Sequence, residues 1–236
     1  MFKDILIDQA EKSGIELSNE QIKKFERYYE LLIEWNEKMN LTALTEMEDV
    51  ALKHFCDSVL LLKYADIREG ASLIDVGTGA GFPSIPVKIM RPDINLCLLD
   101  SLNKRLIFLN EVVSQLNLEN VQIIHSRAED GAKKAQLREK FDYATSRAVA
   151  QLNVLSEYCL PYVKVGGAFL AMKGKYSEEE ISNAKNAIKL LGGKTSKVST
   201  YNLIDSSERT IINISKISKT DSRYPRNSGK IKSKPL

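Results

Sequence analysis

The stretch "LIDVGTGAGFPSIPVKIMRPDINLCLLD", Leu73 to Asp100, decides the fold. It opens on a short apolar run, passes Gly77, Gly79 and Gly81 at alternate positions, and closes a second apolar run on Asp100. Short apolar runs bounded by turn residues read as buried strands, and glycine lets a backbone turn tightly and approach a ligand with no side chain between. In an open parallel sheet, ligands bind beyond the C-terminal strand ends. Asp75 to Gly81 would therefore cradle a ligand, and Asp100 would accept both hydroxyls of a ribose.

Outward from this unit, strand and helix alternate. The pattern predicts strands at 72–76, 94–100, 121–126, 141–146 and 168–173, with helices at 83–90, 102–117, 128–138, 151–161 and 177–191. That alternation indicates an α/β fold, a parallel sheet covered on both faces. Two further strands, near 195–203 and 209–217, flank the polar turn at Asp205 to Ser207 and predict an antiparallel hairpin at the sheet edge. The first 70 residues read as helical: Ser18 with Gln21 and Thr45 with Glu48 form capping-box patterns, and Phe25, Tyr29, Leu32 and Trp35 recur at helical spacing. Residues 218–236 have almost no apolar content and predict a loosely held basic tail. The expected division is a helical extension at 1–70, a catalytic domain at 71–217 and the tail at 218–236.

Position 82 narrows the cofactor. A dinucleotide fingerprint would place its third glycine there, but Phe82 occupies it, and Pro83 and Pro86 follow. Both prolines suit a first helical turn, yet they remove amide donors that a pyrophosphate would use. A cofactor without phosphates fits better. The D-x-G-x-G-x-G loop with its following acid resembles the first two motifs of class I S-adenosylmethionine-dependent methyltransferases. A nicotinamide cofactor and a ligand-free glycine turn stay open as rival readings.

The totals describe an ordinary globular chain: 236 residues, 43% hydrophobic and 28% charged. No apolar run reaches a membrane-spanning length, and the N-terminus lacks a signal-peptide pattern, so the expected compartment is the cytoplasm. Cys56, Cys97 and Cys159 are scattered among apolar neighbours, and with only His54 and His125 no metal site is expected. Charge is distributed unevenly. Residues 1–70 carry 9 basic and 15 acidic side chains, whereas residues 207–236 carry 8 and 2. A basic end points to a polyanionic partner.

The methyl acceptor follows partly by elimination. The segment after the fourth strand, "FDYATSRAVA", holds no "NPPY"-like element for an exocyclic amine. Cys159 in "EYCLPY" is not placed as the nucleophile that pyrimidine-carbon methylation needs. No base or metal stands out for a hydroxyl. A ring nitrogen such as guanine N7 has a lone pair and no proton to lose, so positioning and electrostatics suffice. Arg127, Arg147 and Lys173 follow the third, fourth and fifth strands on one face and suggest an anionic substrate, with RNA favoured by the basic tail.

The motifs "NLTALTE", "HFCDS", "DVGTGAGFPSIP", "LLDSLNKRLIFL", "SRAED", "FDYATSRAVA", "MKGK" and "YPRNSGK" run in the order found in the ribosomal small subunit methyltransferase G family, also called glucose-inhibited division protein B. The chain resembles that family over practically its whole length. It departs at Ser84, where a glycine is usual, and at Ile231, where the tail often has proline. The resemblance implies a bacterial enzyme that forms 7-methylguanosine in the decoding-site loop of 16S ribosomal RNA from S-adenosylmethionine, acting on the RNA or the 30S particle as a monomer. It implies that Gly77 and Phe82 line the cofactor loop beside Asp75, Gly79 and Gly81. Asp100 takes the ribose, and Ala128 and Glu129 flank the adenine. Arg147 becomes the main active-site residue, and Lys173, Arg223 and Arg226 take phosphates. Two alternatives are a methyltransferase of a small acidic metabolite and a non-catalytic ribosome-assembly factor that binds RNA. His54 and Asp57 share a helix face, and the expected reading is a structural hydrogen bond tying the N-terminal helices to the core. His125 reads as a satisfied edge residue.

Overall fold

The computed structural model describes residues 1–236 as one sheet with helices on both faces and helical segments at each end of the chain. The strands are β1 (Ser72–Val76), β2 (Asn95–Asp100), β3 (Val121–His125), β4 (Phe141–Arg147), β5 (Val163–Lys173), β6 (Gly193–Asn202) and β7 (Glu208–Lys216). They lie in the order β3-β2-β1-β4-β5-β7-β6. All pairings through β5 are parallel, and the β6–β7 hairpin is antiparallel, as the short Asp205 turn predicts.

Between the strands run α5 (Ser84–Met90), α6 (Asn103–Gln115), α7 (Ala128–Gly131), α8 (Leu152–Cys159) and α9 (Glu178–Leu190). Two segments differ from the sequence reading. The helix expected over 128–138 lasts one turn, because Tyr162 Oη bonds the Ala128 carbonyl at 2.6 Å and Arg138 bonds that of Ala132 at 3.3 Å. β5 begins five residues earlier than expected, at Val163. Its register shifts between Phe141 and Tyr143 of β4, and Gly166, at φ +88°, supplies the left-handed backbone the bulge needs.

The N-terminal helices are α1 (Phe2–Lys12), α2 (Asn19–Met39), α3 (Met47–Asp49), a π-helical stretch at Val50–Cys56, and α4 (Asp57–Tyr64). Ser18 and Gln21 form the reciprocal cap at 2.8 and 3.3 Å. The Thr45–Glu48 box does not form: Glu46 occupies the cap position, and Thr42 organises the entry instead by accepting from the Leu44 amide at 3.0 Å. These helices share one core with the sheet. Phe25, Tyr28, Leu31 and Phe55 pack in the same apolar cluster as Leu73, Ile85, Phe108 and Leu170. The aromatic series on α2 is therefore packing, with Tyr29 stacked on Phe2 at 4.0 Å and Trp35 tilted on Phe108 at 5.8 Å.

The tail is docked, contrary to the sequence reading. Arg138 donates to the carbonyls of Thr220, Asp221 and Tyr224 at 2.8 to 3.1 Å. Arg226 pairs with the buried Glu157 at 2.6 Å, and Ile231 of α10 (Ser228–Ser233) is fully buried against the sheet's second apolar cluster. Low apolar content hid these anchors because most are polar contacts to backbone. No helix is long and apolar enough to cross a membrane.

Candidate active site

A cleft of about 750 Å³ opens at the C-terminal ends of β1, β2, β3 and β4. This volume falls within the range typical of small-molecule sites. Its floor is the loop after β1. Gly77 lies at φ +75°, and a Cβ there would come 3.0 Å from Val149 Cγ2; Gly79, at φ +60°, faces open space. Both need glycine for the left-handed backbone, and Gly77 also keeps the gap to Val149 open. Gly81 does other work: a Cβ there would meet Tyr28 Oη and Ile85 at 2.7 Å, so it is a packing position beneath the loop.

Acids stand at the ends of β1 and β2. Asp100 is buried and takes the Gly79 amide at 3.0 Å, the Leu102 amide at 2.9 Å and Arg105 at 3.4 Å. It thus links the glycine loop to the start of α6. Asp75 is wholly buried under the loop, accepts from Thr78 Oγ1 at 2.9 Å and leaves Oδ1 unpartnered. Burial pushes its carboxyl up to about 7, opposed by the Thr78 hydroxyl. Ala128 and the buried Glu129 line the cleft beyond β3, next to the exposed Arg127.

At the β4 end, Arg147 enters the cleft with its side chain 15% exposed. Its Nη1 donates to the Lys53 carbonyl at 3.1 Å and Asp57 Oδ2 at 3.2 Å, and Nη2 donates to His54 Nδ1 at 3.1 Å. The guanidinium lies over the Phe82 ring at 5.2 Å, and His54 stacks on the same ring at 4.4 Å. With Nδ1 accepting, Nε2 carries the proton and donates to Thr42 Oγ1 at 2.8 Å. Burial first, and Arg147's charge second, pull His54 down to about 3, so its ring is neutral. Burial lowers Arg147 from its ordinary value while Asp57 opposes that shift.

The sequence-derived residues divide cleanly. Gly77, Gly79, Phe82, Asp100, Arg127, Ala128, Glu129 and Arg147 meet in the cleft. Asp75 and Gly81 sit beneath it. Lys173, expected on phosphates, is instead bound to the Ala150 carbonyl at 2.8 Å and Glu180 at 2.7 Å. Arg226 is likewise committed to Glu157 and the Lys234 carbonyl, while Arg223 is exposed beside Asp221. His54 and Asp57 do tie the N-terminal helices to the core, but through Arg147. His125 is satisfied by the Ser101 carbonyl at 3.0 Å. The sequence reading missed Leu41 and Thr42 on one wall and Ser228, Lys232 and Pro235 of the tail on another. It also missed Tyr28, which donates to the Ala80 carbonyl and stacks on Phe82 at 5.3 Å. Tyr28 was legible only as one more aromatic at helical spacing. No group of three or more acids, histidines or cysteines is placed to hold a metal.

The family profile GidB, rRNA small subunit methyltransferase G, matches residues 21–212. The chain belongs to that family. It is 52% identical over 236 residues to the ribosomal RNA small subunit methyltransferase G of Clostridium beijerinckii, covering 100% of this chain and 99% of the relative. With the Bacillus cytotoxicus protein of the same name it shares 52% over 217 residues, 92% of this chain and 91% of that one. Among solved structures, a putative methyltransferase from Bacillus halodurans superposes with a TM-score of 0.55 at 12% identity, over 69% of this chain and 99% of that one. A 16S rRNA (adenine(1408)-N(1))-methyltransferase from Catenulisporales acidiphilia gives 0.53 at 15%, over 64% and 87%. At these identities the likeness shows the fold alone, that of the class I methyltransferases.

Proposed function

We propose that the protein transfers a methyl group from S-adenosylmethionine to guanine N7 in the decoding-site loop of 16S ribosomal RNA. The observation that carries this reading is a cleft that pairs a glycine floor and a buried acid with an arginine, and holds no free base. The residues fit the cofactor: Gly77 leaves a cradle that a side chain would fill, Asp100 presents a carboxylate for the ribose, and Ala128 and Glu129 wall the adenine. Bound there, the cofactor supplies an activated methyl on a cationic sulfur.

His54 is the one histidine lining the cleft, and it is a poor base. Both of its ring nitrogens are engaged, and Arg147's charge disfavours a proton on it. An acceptor that must lose a proton would find nothing to take it, whereas guanine N7 has none to lose. Catalysis then rests on orientation, and Arg147 is held rigidly enough to provide it. Arg127 and Arg223, both exposed, are assigned to RNA phosphates; Lys173 and Arg226 act in holding the β5 end and the tail. Because both ends of one chain complete the cleft, a single copy carries a whole site, consistent with a cytoplasmic monomer.

The test is transfer of labelled methyl to unmethylated 30S particles and naked 16S RNA, followed by mapping of the modified nucleotide. Label on guanine N7 in the RNA is expected. Label on protein, on a small molecule, or nowhere would overturn the reading.

A further inference from the structure

The β1 and β4 ends of the cleft are brought level by register. Asp75 pairs with Thr145, so Gly77 and Arg147 each lie two residues past a matched pair, on neighbouring strands. A cofactor seated on Gly77 therefore faces Arg147 across the Phe82 ring, which carries the guanidinium at 5.2 Å. Its reacting sulfur is positively charged, and two cations in a partly desolvated cleft repel far more strongly than in water. Something must offset Arg147.

Asp57 is the group in position to do so. Its side chain is 4% exposed, and it stands outside the cleft lining, at the start of α4. It accepts from Arg147 at 3.2 Å, from Arg209 Nε at 3.3 Å and from Tyr201 Oη at 3.1 Å. One carboxylate thus serves two arginines, and the cluster carries one net positive charge with Asp57 and two without it. His54, the other group on Arg147's far side, is neutral and offsets nothing. Neither Lys53 nor Asp205 intervenes, since Lys53 Nζ is turned to Asp49 at 2.7 Å and Asp205 at 3.5 Å.

Resting on the methyltransferase reading above, we propose that Asp57 is a positioning residue that sets the charge of the transfer pocket. Through Arg147 it allows the site to admit a cationic sulfonium donor and keeps the neutral thioether product from outcompeting it. The N-terminal helices thereby contribute to cofactor selection from outside the cofactor site.

The experiment is calorimetric titration of the full chain with S-adenosylmethionine and, separately, S-adenosylhomocysteine, the quantity read being the ratio of the two affinities. Asp57→Asn should move that ratio roughly tenfold against the donor, with the thioether affinity changed by less than about twofold. Arg147→Met should move it the other way, toward the donor. The double variant Asp57→Asn/Arg147→Met should return to the wild-type ratio. A purely structural Asp57 would weaken both ligands in proportion, and that result, or an unmoved ratio, overturns the proposal. Should Asp57→Asn alone fail to fold, the double variant against Arg147→Met still decides: equal ratios in those two contradict it. If the wild type binds neither ligand, the methyltransferase reading itself has failed, which is a different outcome from a fixed ratio.

Discussion

At the β1 end of the cleft, Gly77, Gly79 and Asp100 work through backbone shape and one carboxylate, all within 24 residues of sequence. At the β4 end, Arg147 is fixed by Lys53, His54 and Asp57, more than 89 residues away, with Tyr201 and Arg209 of the hairpin behind them. The first end is local and conformational; the second is long-range and electrostatic. The difference teaches why the helical extension belongs to the enzyme's chemistry. Without it the glycine floor could still form, but Arg147 would lose its three acceptors.

The largest effect is expected at the local end. Gly77→Val places a branched side chain at φ +75° and into Val149, and should lower S-adenosylmethionine affinity by at least about 100-fold, measured by calorimetry. Retained binding would mean that the floor is not where the cofactor lies. Within the same loop, Gly81→Ala should cost about 2–4 kcal/mol of stability from overpacking and left-handed strain, against about 1 kcal/mol for Gly79→Ala, which meets no atoms. Urea melts of the two variants read this difference, and equal losses would contradict the assignment of Gly81 to packing.

The link between the ends is Tyr28, buried between Phe55 and Phe82 with its hydroxyl on the Ala80 carbonyl. Tyr28→Phe should cost about 1–3 kcal/mol, the penalty for orphaning a buried carbonyl. A melt unchanged from wild type would remove Tyr28 from the link. The smallest effect is at His54. Its folded value near 3 lies below its ordinary 6.5, so the folded state refuses a proton that the unfolded chain accepts. That stability is complete above pH 6.5 and is lost on acidification, by about 1.4 kcal/mol per pH unit once well below 6.5. His54→Phe, which keeps the stack on Phe82, should show a shallower fall between pH 7 and 5. An identical slope would mean that His54 is protonated in the fold.

How much was legible in the sequence follows the same division. The strand order's parallel half, the glycine loop and Asp100 were readable because each depends on neighbours a few residues apart. Arg147 was readable as a cation at a strand end, but its partners were not, since no periodicity connects Asp57 to Arg209. The tail was misread for a related reason. Arg226, Arg138 and Lys216 hold it through Glu157, backbone carbonyls and Thr220, and such contacts leave no apolar pattern. Lys173 looked like a phosphate ligand for want of any sign that Glu180, seven residues on, folds back to meet it.

The most direct test of this account is Arg147→Ala under single-turnover conditions on unmethylated 30S particles, with binding to the particle measured in parallel. Methyl transfer should fall by at least about 100-fold while binding to the particle stays within a few-fold of wild type. Transfer that persists, or that falls only in step with binding, would contradict the placement of the chemistry at the β4 end.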